Sequence, residues 1–135
     1  MSRRLRTDLA EPRLRPLADP EMVRGMRAAL TGVHIDDDII DYCVRLVAAT
    51  RTHPQLEIGA SPRGTLTLLA TGRAAAMLAG RDFVVPDDIA RLAVPALAHR
   101  VVLRPELWAR RVSTDTVIAE LLDEVPAPAA KPSHA

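Results

Sequence analysis

The chain is 135 residues long with a formal net charge of +1, the size of one domain with room for tails. That near-neutral balance excludes a strong sequence-independent nucleic-acid binder, which carries a marked basic excess. The one cysteine, Cys43, excludes an intrachain disulfide and a cysteine-based zinc site.

Hydrophobic residues make up 48% of the chain but aromatics only 2%. The core is therefore aliphatic, and a palette rich in Ala and Leu favours packed helices. Lys131 is the only lysine among the basic side chains, a pattern that reads as coding bias and not as a phosphate-binding signature. His34, His53, His99 and His134 are scattered without ligand spacing. The Arg-rich start is followed by no apolar leader segment, and no run is long enough to span a membrane. The expectation is a soluble, cytoplasmic chain with no membrane insertion.

Residues 1–19 are polar, hold Pro12 and Pro16, and carry Arg3, Arg4, Arg6, Arg13 and Arg15; they read as a linker or an arm. Asp19 and Pro20 open a helix to Leu30, with Met22, Met26, Ala29 and Leu30 on one side and Gly32 as its stop. Asp36, Asp37 and Asp38 open the next helix, where the dipole favours carboxylates. They read as caps and not as a metal site, which needs further spaced oxygen ligands. This helix runs to Thr52, with Ile39, Cys43, Leu46 and Val47 on its core face and Ile40 and Val44 broadening it. Pro54 ends it.

Residues 55–60 read as a connector. Ser61 is placed to cap a third helix, from Pro62 to Ala79, with an apolar stripe of Leu66, Leu69, Ala70, Ala74, Met77 and Leu78. Gly80 suits a left-handed stop. A short extended segment spans 82–85. Pro86, Asp87 and Asp88 then start helix four, whose inner face is Ile89, Leu92, Ala93, Ala96 and Leu97. Val85 stands where a Ser or Thr would cap better, and Pro95 is expected to kink the helix. Ser113 caps a last helix from Thr114 to Glu124, with Val117, Ile118, Leu121, Leu122 and Val125 at helical spacing. Residues 126–135, rich in Pro and Ala, read as a disordered tail. The predicted fold is all-α, a small bundle of four to five helices over residues 20–125.

One stretch carries chemistry. Gly59-Ala60-Ser61-Pro62-Arg63 ends in a cation inside the first turn of a helix, where the dipole disfavours it by about 0.3–1 kcal/mol if exposed. Free N–H groups with a guanidinium make a clamp for phosphate or carboxylate; the alternative is a solvated arginine on an ordinary helix start. A P-loop reading of Gly59 to Thr65 fails, because Thr65 stands where the phosphate-binding lysine belongs and no buried strand precedes it. No Walker B acid follows an apolar strand. No nucleophile–base arrangement emerges either, since Ser61 and Ser113 read as caps.

Separated pieces then converge. Ala49-Thr50-Arg51, Gly59-Ala60-Ser61-Pro62-Arg63, Gly80-Arg81-Asp82-Phe83-Val84-Val85-Pro86-Asp87-Asp88 and His99-Arg100 resemble, in order and spacing, the C-terminal helical lid of MoxR-type AAA+ ATPases, relatives of the magnesium-chelatase ATPase subunits. The resemblance implies a helical lid beside the nucleotide pocket of an α/β core, with residues 1–19 as the end of that core or its linker. It implies that Arg63 is the sensor-2 residue touching the terminal phosphates of ATP, supported by Ser61, Pro62 and Arg51. Of these, Arg51 either lines the same cleft or, by preference, has a structural role. Arg81 and Asp82 are expected to fix the turn before helix four, and Arg100 to face a neighbouring subunit.

ATP and Mg would be bound mainly by the core, which these residues do not contain, so the 135 residues are expected not to hydrolyse ATP, whereas the full-length protein is expected to be an ATPase. The implied partners are that core, neighbouring subunits of a ring and von Willebrand factor A-domain proteins, with no nucleic acid, in a chaperone-like remodeller. Two alternatives stay open. One is a non-enzymatic interaction module, since Phe83 to Ala93 is also similar to the last loop and helix of histone folds. The other is a free-standing adaptor for another ATPase.

Overall fold

The computed structural model describes residues 16–129. The expectations for residues 1–15 and 130–135 lie outside them. The order is α1 (Pro20–Ala29), α2 (Asp37–Thr52), β1 (Leu56–Ile58), α3 (Arg63–Leu78), α4 (Pro86–Leu97), β2 (Val102–Leu103) and α5 (Thr114–Glu124), with 3-10 turns at Leu30–Gly32, Ala98–Arg100 and Pro105–Arg110. The helical bundle expected from the sequence is present. No helix among the described residues is long and apolar enough to cross a membrane.

Helix starts follow local chemistry. Asp19 Oδ1 accepts the Met22 N–H at 2.7 Å, and Pro20 occupies the first turn of α1. Ser113 accepts the Thr116 N–H at 3.1 Å and caps α5. Ser113→Ala is therefore expected to destabilise the fold by about 1 kcal/mol, read as a lower urea midpoint with unchanged slope. At α2 the Asp36 carbonyl accepts the N–H groups of Ile39 and Ile40, while its carboxylate does not cap and instead lies 3.1 Å from His34 Nε2. Gly80 takes φ 72 after α3, the left-handed stop expected of it.

The core is aliphatic around Tyr42, Leu46, Leu68, Ile89, Leu97 and Ile118, all at most 2% exposed. The face expected of α2 is buried at Ile39, Cys43, Leu46 and Val47. Tyr42 and Thr50 join it, whereas Val44 is 48% exposed, a correction: the core lies on the Tyr42 side. Burial pushes the Cys43 thiol up to about 12, so it stays an inert packing group at neutral pH. The apolar side expected of α1 faces solvent, for α1 buries no residue.

The larger correction is α3. Its buried line is Gly64, Leu68, Gly72 and Ala76, while Leu66 and Leu78 are exposed. A Cβ at Gly72 would come 2.7 Å from Ile89 Cδ1, and one at Gly64 3.0 Å from Leu97 Cδ2. The small residues admit α4 to close range; of the expected stripe Leu69 and Met77 pack half-buried against the core, while Leu66 and Leu78 are displaced outward. A reading that counts side-chain hydrophobicity gives glycine no weight, although absence of a side chain is what this contact needs.

The connector expected at 55–60 contains β1, which pairs antiparallel with β2, Leu56 opposite Leu103 and Ile58 opposite Val102. Three residues are too few to show alternation. The extended segment near 83 forms a single parallel bridge between His34 and Phe83: the His34 N–H donates to the Asp82 carbonyl at 2.7 Å and the Val84 N–H to the His34 carbonyl at 3.0 Å. Pro95 lies inside α4, but the helix runs unbroken to Leu97 before tightening into the 3-10 turn. Pro128 is half-buried and lines a small pocket with Phe83 and Pro86.

Candidate functional site

The candidate site sits where α2 ends and α3 begins. In the last turn of α2, buried Thr50 donates its hydroxyl to the Val47 carbonyl at 2.6 Å and accepts the Ala60 N–H at 2.9 Å. Arg51 Nε donates to the Ala60 carbonyl at 3.0 Å. Ala60 is thus held through both of its backbone polar groups, and the residue is 1% exposed. Gly59 passes so close to α2 that a Cβ there would lie 2.6 Å from Arg51 Cα and 2.7 Å from the Thr50 carbonyl oxygen.

From this fixed point the chain turns into α3. The Ser61 carbonyl accepts the Gly64 N–H at 2.8 Å and the Pro62 carbonyl accepts the Thr65 N–H at 3.1 Å. The expectation that the Ser61 side chain caps the helix is corrected: α3 has no side-chain cap. Pro62 already has helical dihedrals, φ −54 and ψ −23, so the turn closes through backbone carbonyls and the hydroxyl is not drawn in.

Arg63 is exposed. Among the described residues its guanidinium has no hydrogen bond or ion pair, and the first turn of α3 carries no acid. The N-terminal half-charge of the helix and the guanidinium therefore add, leaving an uncompensated positive end. The α4 C-terminal region lies alongside, through the approach of Gly64 to Leu97. Arg100 in the following 3-10 turn donates Nε to the Ala96 carbonyl at 2.9 Å. Arg51, placed in the sequence reading between a cleft-lining and a structural role, has its Nε committed to the backbone.

At the far end of α3 a second cluster is structural. Arg81 holds Asp88 with a two-pronged contact, Nη1 to Oδ2 at 2.9 Å and Nη2 to Oδ1 at 2.7 Å. It also donates to the Phe83 carbonyl at 2.8 Å. Asp88 further accepts from Arg91 Nη2 and from the Val85 N–H, both at 3.0 Å. Asp88 at the third position of the helix thus takes the Val85 N–H, the half of a capping box that a valine N-cap leaves possible, while the Asp88 N–H donates to the Val85 carbonyl at 3.0 Å. Burial alone would raise the Asp88 carboxyl. The Arg81, Val85 and Arg91 hydrogen bonds outweigh it and hold the group below the usual carboxylate range. Arg81 fixes the turn as expected, whereas the Asp82 carbonyl ties this segment to His34.

Sequence reasoning missed Thr50 and the close approach at Gly59. Both lie in the quoted pieces, but nothing local marks a threonine as an acceptor for an amide ten residues on. The end of the bundle around Arg63 offers donors and positive field, suited to holding an anion. Among the described residues no three His, Cys, Asp or Glu converge as for a metal.

The fold is that of a known family of small helical lid domains. Residues 48–121, more than half of the chain, match the AAA lid domain family, and the chain belongs to it. It is 36% identical over 115 residues to the YeaC protein of Bacillus subtilis, covering 85% of this chain and 36% of that protein. It is 37% identical over 99 residues to chaperone MoxR1 of Mycobacterium tuberculosis, covering 67% and 26%, and 42% identical over 71 residues to protein MoxR of Methylorubrum extorquens, covering 52% and 21%. The solved structure of an ATPase candidate from Cytophaga hutchinsonii superposes with a TM-score of 0.72 at 29% identity, over 79% of this chain and 34% of that one. The chain therefore spans about a third or less of the length of these relatives. The MoxR-type lid expected from the sequence is the family found.

Proposed function

We propose that this chain is the lid through which a MoxR-type AAA+ ATPase senses its nucleotide, with Arg63 in the sensor-2 role. The carrying observation is a guanidinium at the positive end of α3 that is exposed and unpaired among the described residues. A cation held where the dipole disfavours it is stabilised when an anion arrives, and a guanidinium gives phosphate oxygens a fork of donors. Ser61 and Pro62 close the turn below it, and Arg51 secures the strand of chain behind it.

In this reading ATP is the substrate, and the α/β core holds the P-loop, the Walker acid and the Mg ion, in the same polypeptide or supplied in trans. Contact with the terminal phosphate makes the lid bind ATP more tightly than ADP. Hydrolysis then releases a rigid bundle to swing. The ring assembly, an Arg100 contact to the neighbouring subunit, chaperone-like remodelling of clients, von Willebrand factor A-domain partners and a cytoplasmic location belong to the same proposal. The relative named a chaperone supports the remodelling part.

The test combines this chain with its α/β core and compares Arg63 with Arg63→Ala. ATP affinity is expected to fall by roughly tenfold or more, the range of a lost charge-assisted hydrogen bond. ADP affinity is expected to fall less, and thermal unfolding to stay unchanged. Equal losses for ATP and ADP would place the contact away from the terminal phosphate. Unchanged nucleotide binding would remove Arg63 from the mechanism.

A further inference from the structure

We infer that Thr50 and Arg51, in the last turn of α2, are positioning residues that aim Arg63, with Arg51 acting through Arg63 and not on the phosphate itself. The inference rests on the sensor-2 reading and adds to it the device that places the sensor.

Between the small sheet and α3 the chain has one fixed point. Ala60 gives its N–H to Thr50 Oγ1 at 2.9 Å and takes Arg51 Nε on its carbonyl at 3.0 Å. Thr50 is itself oriented by donating to Val47 at 2.6 Å, which leaves its lone pairs toward Ala60. A hydroxyl that donates one way and accepts the other is used to capacity in a buried place. Gly59 lets the backbone lie directly on Arg51 and Thr50, so the contact is set by main chain as well as side chains.

Beyond Ala60 the next three residues, Ser61, Pro62 and Arg63, are all exposed, and none of their side chains makes a hydrogen bond to another described residue. Pro62 has its φ fixed by the ring. The next packed residue is Gly64, against Leu97 and Ala60. Arg63 is therefore suspended between two anchored points, and the Thr50–Arg51 pair holds one of them. A contact this short-ranged transmits: a shift of 1 Å in a positioning element misplaces a group that must meet a phosphate oxygen.

The test is a double-mutant cycle in the assembled ATPase, this chain with its α/β core. Arg51→Ala is expected to raise the KM for ATP by about fivefold, the scale of one lost hydrogen bond, with kcat affected less. Arg51→Lys, which keeps one donor, is expected to recover most of the loss. The double variant Arg51→Ala/Arg63→Ala is expected to be no weaker than Arg63→Ala alone. Thr50→Val, which keeps the shape and removes the acceptor, is expected to repeat the KM effect. In the 135-residue chain it is also expected to speed hydrogen exchange at the Ala60 amide while the Gly64 amide changes little.

Additive losses in the double variant would overturn the proposal by making Arg51 a direct ligand. A normal KM in both Arg51→Ala and Thr50→Val, with Arg63→Ala impaired, would overturn it and leave the sensor-2 reading standing. A normal Arg63→Ala enzyme would remove both. A fall in thermal stability that Arg51→Lys restores without restoring KM would reduce the pair to a structural clip.

Discussion

Replacing Asp88 by alanine is expected to destabilise the fold by about 3 kcal/mol, the low end of the range for breaking a buried ion pair. The carboxylate is fully buried and meets Arg81 through two hydrogen bonds, Arg91 through one and the Val85 N–H through one. Removing it leaves Arg81, whose side chain is 24% exposed, without its counter-charge, and frees the N-cap amide of α4. The residual exposure of Arg81 sets the loss at the low end, since water reaches the stranded cation. Asp88→Asn keeps one acceptor oxygen but turns the other, which accepts from Arg81, into an NH2 donor, so it loses the charge and part of the hydrogen-bond set, and roughly half the loss or more is expected. Urea unfolding of the two variants separates the contributions; equal midpoints to the parent chain would show that the network is dispensable.

The same carboxyl makes stability depend on pH in acid. Its folded pKa lies below the ordinary range, while the unfolded chain protonates Asp near 3.9, so over the interval between them the unfolded state binds more protons, at about that reference value. The contribution is complete above the unfolded pKa and is lost as pH falls through the folded one. Urea midpoints measured downward from about pH 5 should decline in the parent chain and decline less in Asp88→Asn.

Gly59→Ala is the second large effect, with an expected loss of about 3 kcal/mol, the upper end for overpacking. The added Cβ would meet Arg51 Cα at 2.6 Å, Arg51 N at 2.7 Å and the Thr50 oxygen at 2.7 Å. All three are main-chain atoms of a helix and cannot rotate away, so the connector must lift off α2. That movement breaks the two Ala60 hydrogen bonds as well, so ATP affinity in the assembled ATPase should fall together with stability. Gly25→Ala is the internal control. It lies inside α1 with nothing within 4 Å of the added atom, so it should not destabilise and should favour the helix by up to about 1 kcal/mol. Thermal unfolding of the pair reads both; a stable Gly59→Ala chain would show that the close approach relaxes easily.

The helix boundaries were open to reading because their causes are local. Asp19 with Pro20, Ser113 before Thr114, and Gly80 after α3 each act within one turn on groups their own neighbours expose. The family was legible for another reason: several short pieces in fixed order specify a lid where one piece alone would not. What misled was periodicity. In α2 it located four of the core positions and misjudged Val44 by one step around the helix. In α3 it selected Leu66 and Leu78, which packing leaves exposed, and passed over Gly64 and Gly72, which packing buries.

By itself, then, the chain's order of residues determined a mainly helical bundle, most of its starts and stops, and the cation at the mouth of α3, because propensity, capping and charge are properties of a few adjacent residues. Tertiary structure alone decided that Ser61 caps nothing, that Leu56 meets Leu103, that Asp88 is swallowed whole among two arginines, and that Ala60 is pinned by Thr50 and Arg51. Each of these joins groups whose meeting depends on how entire helices settle against one another, and that settling is governed by shape at contacts such as Gly72 against Ile89, which no window of neighbouring residues contains.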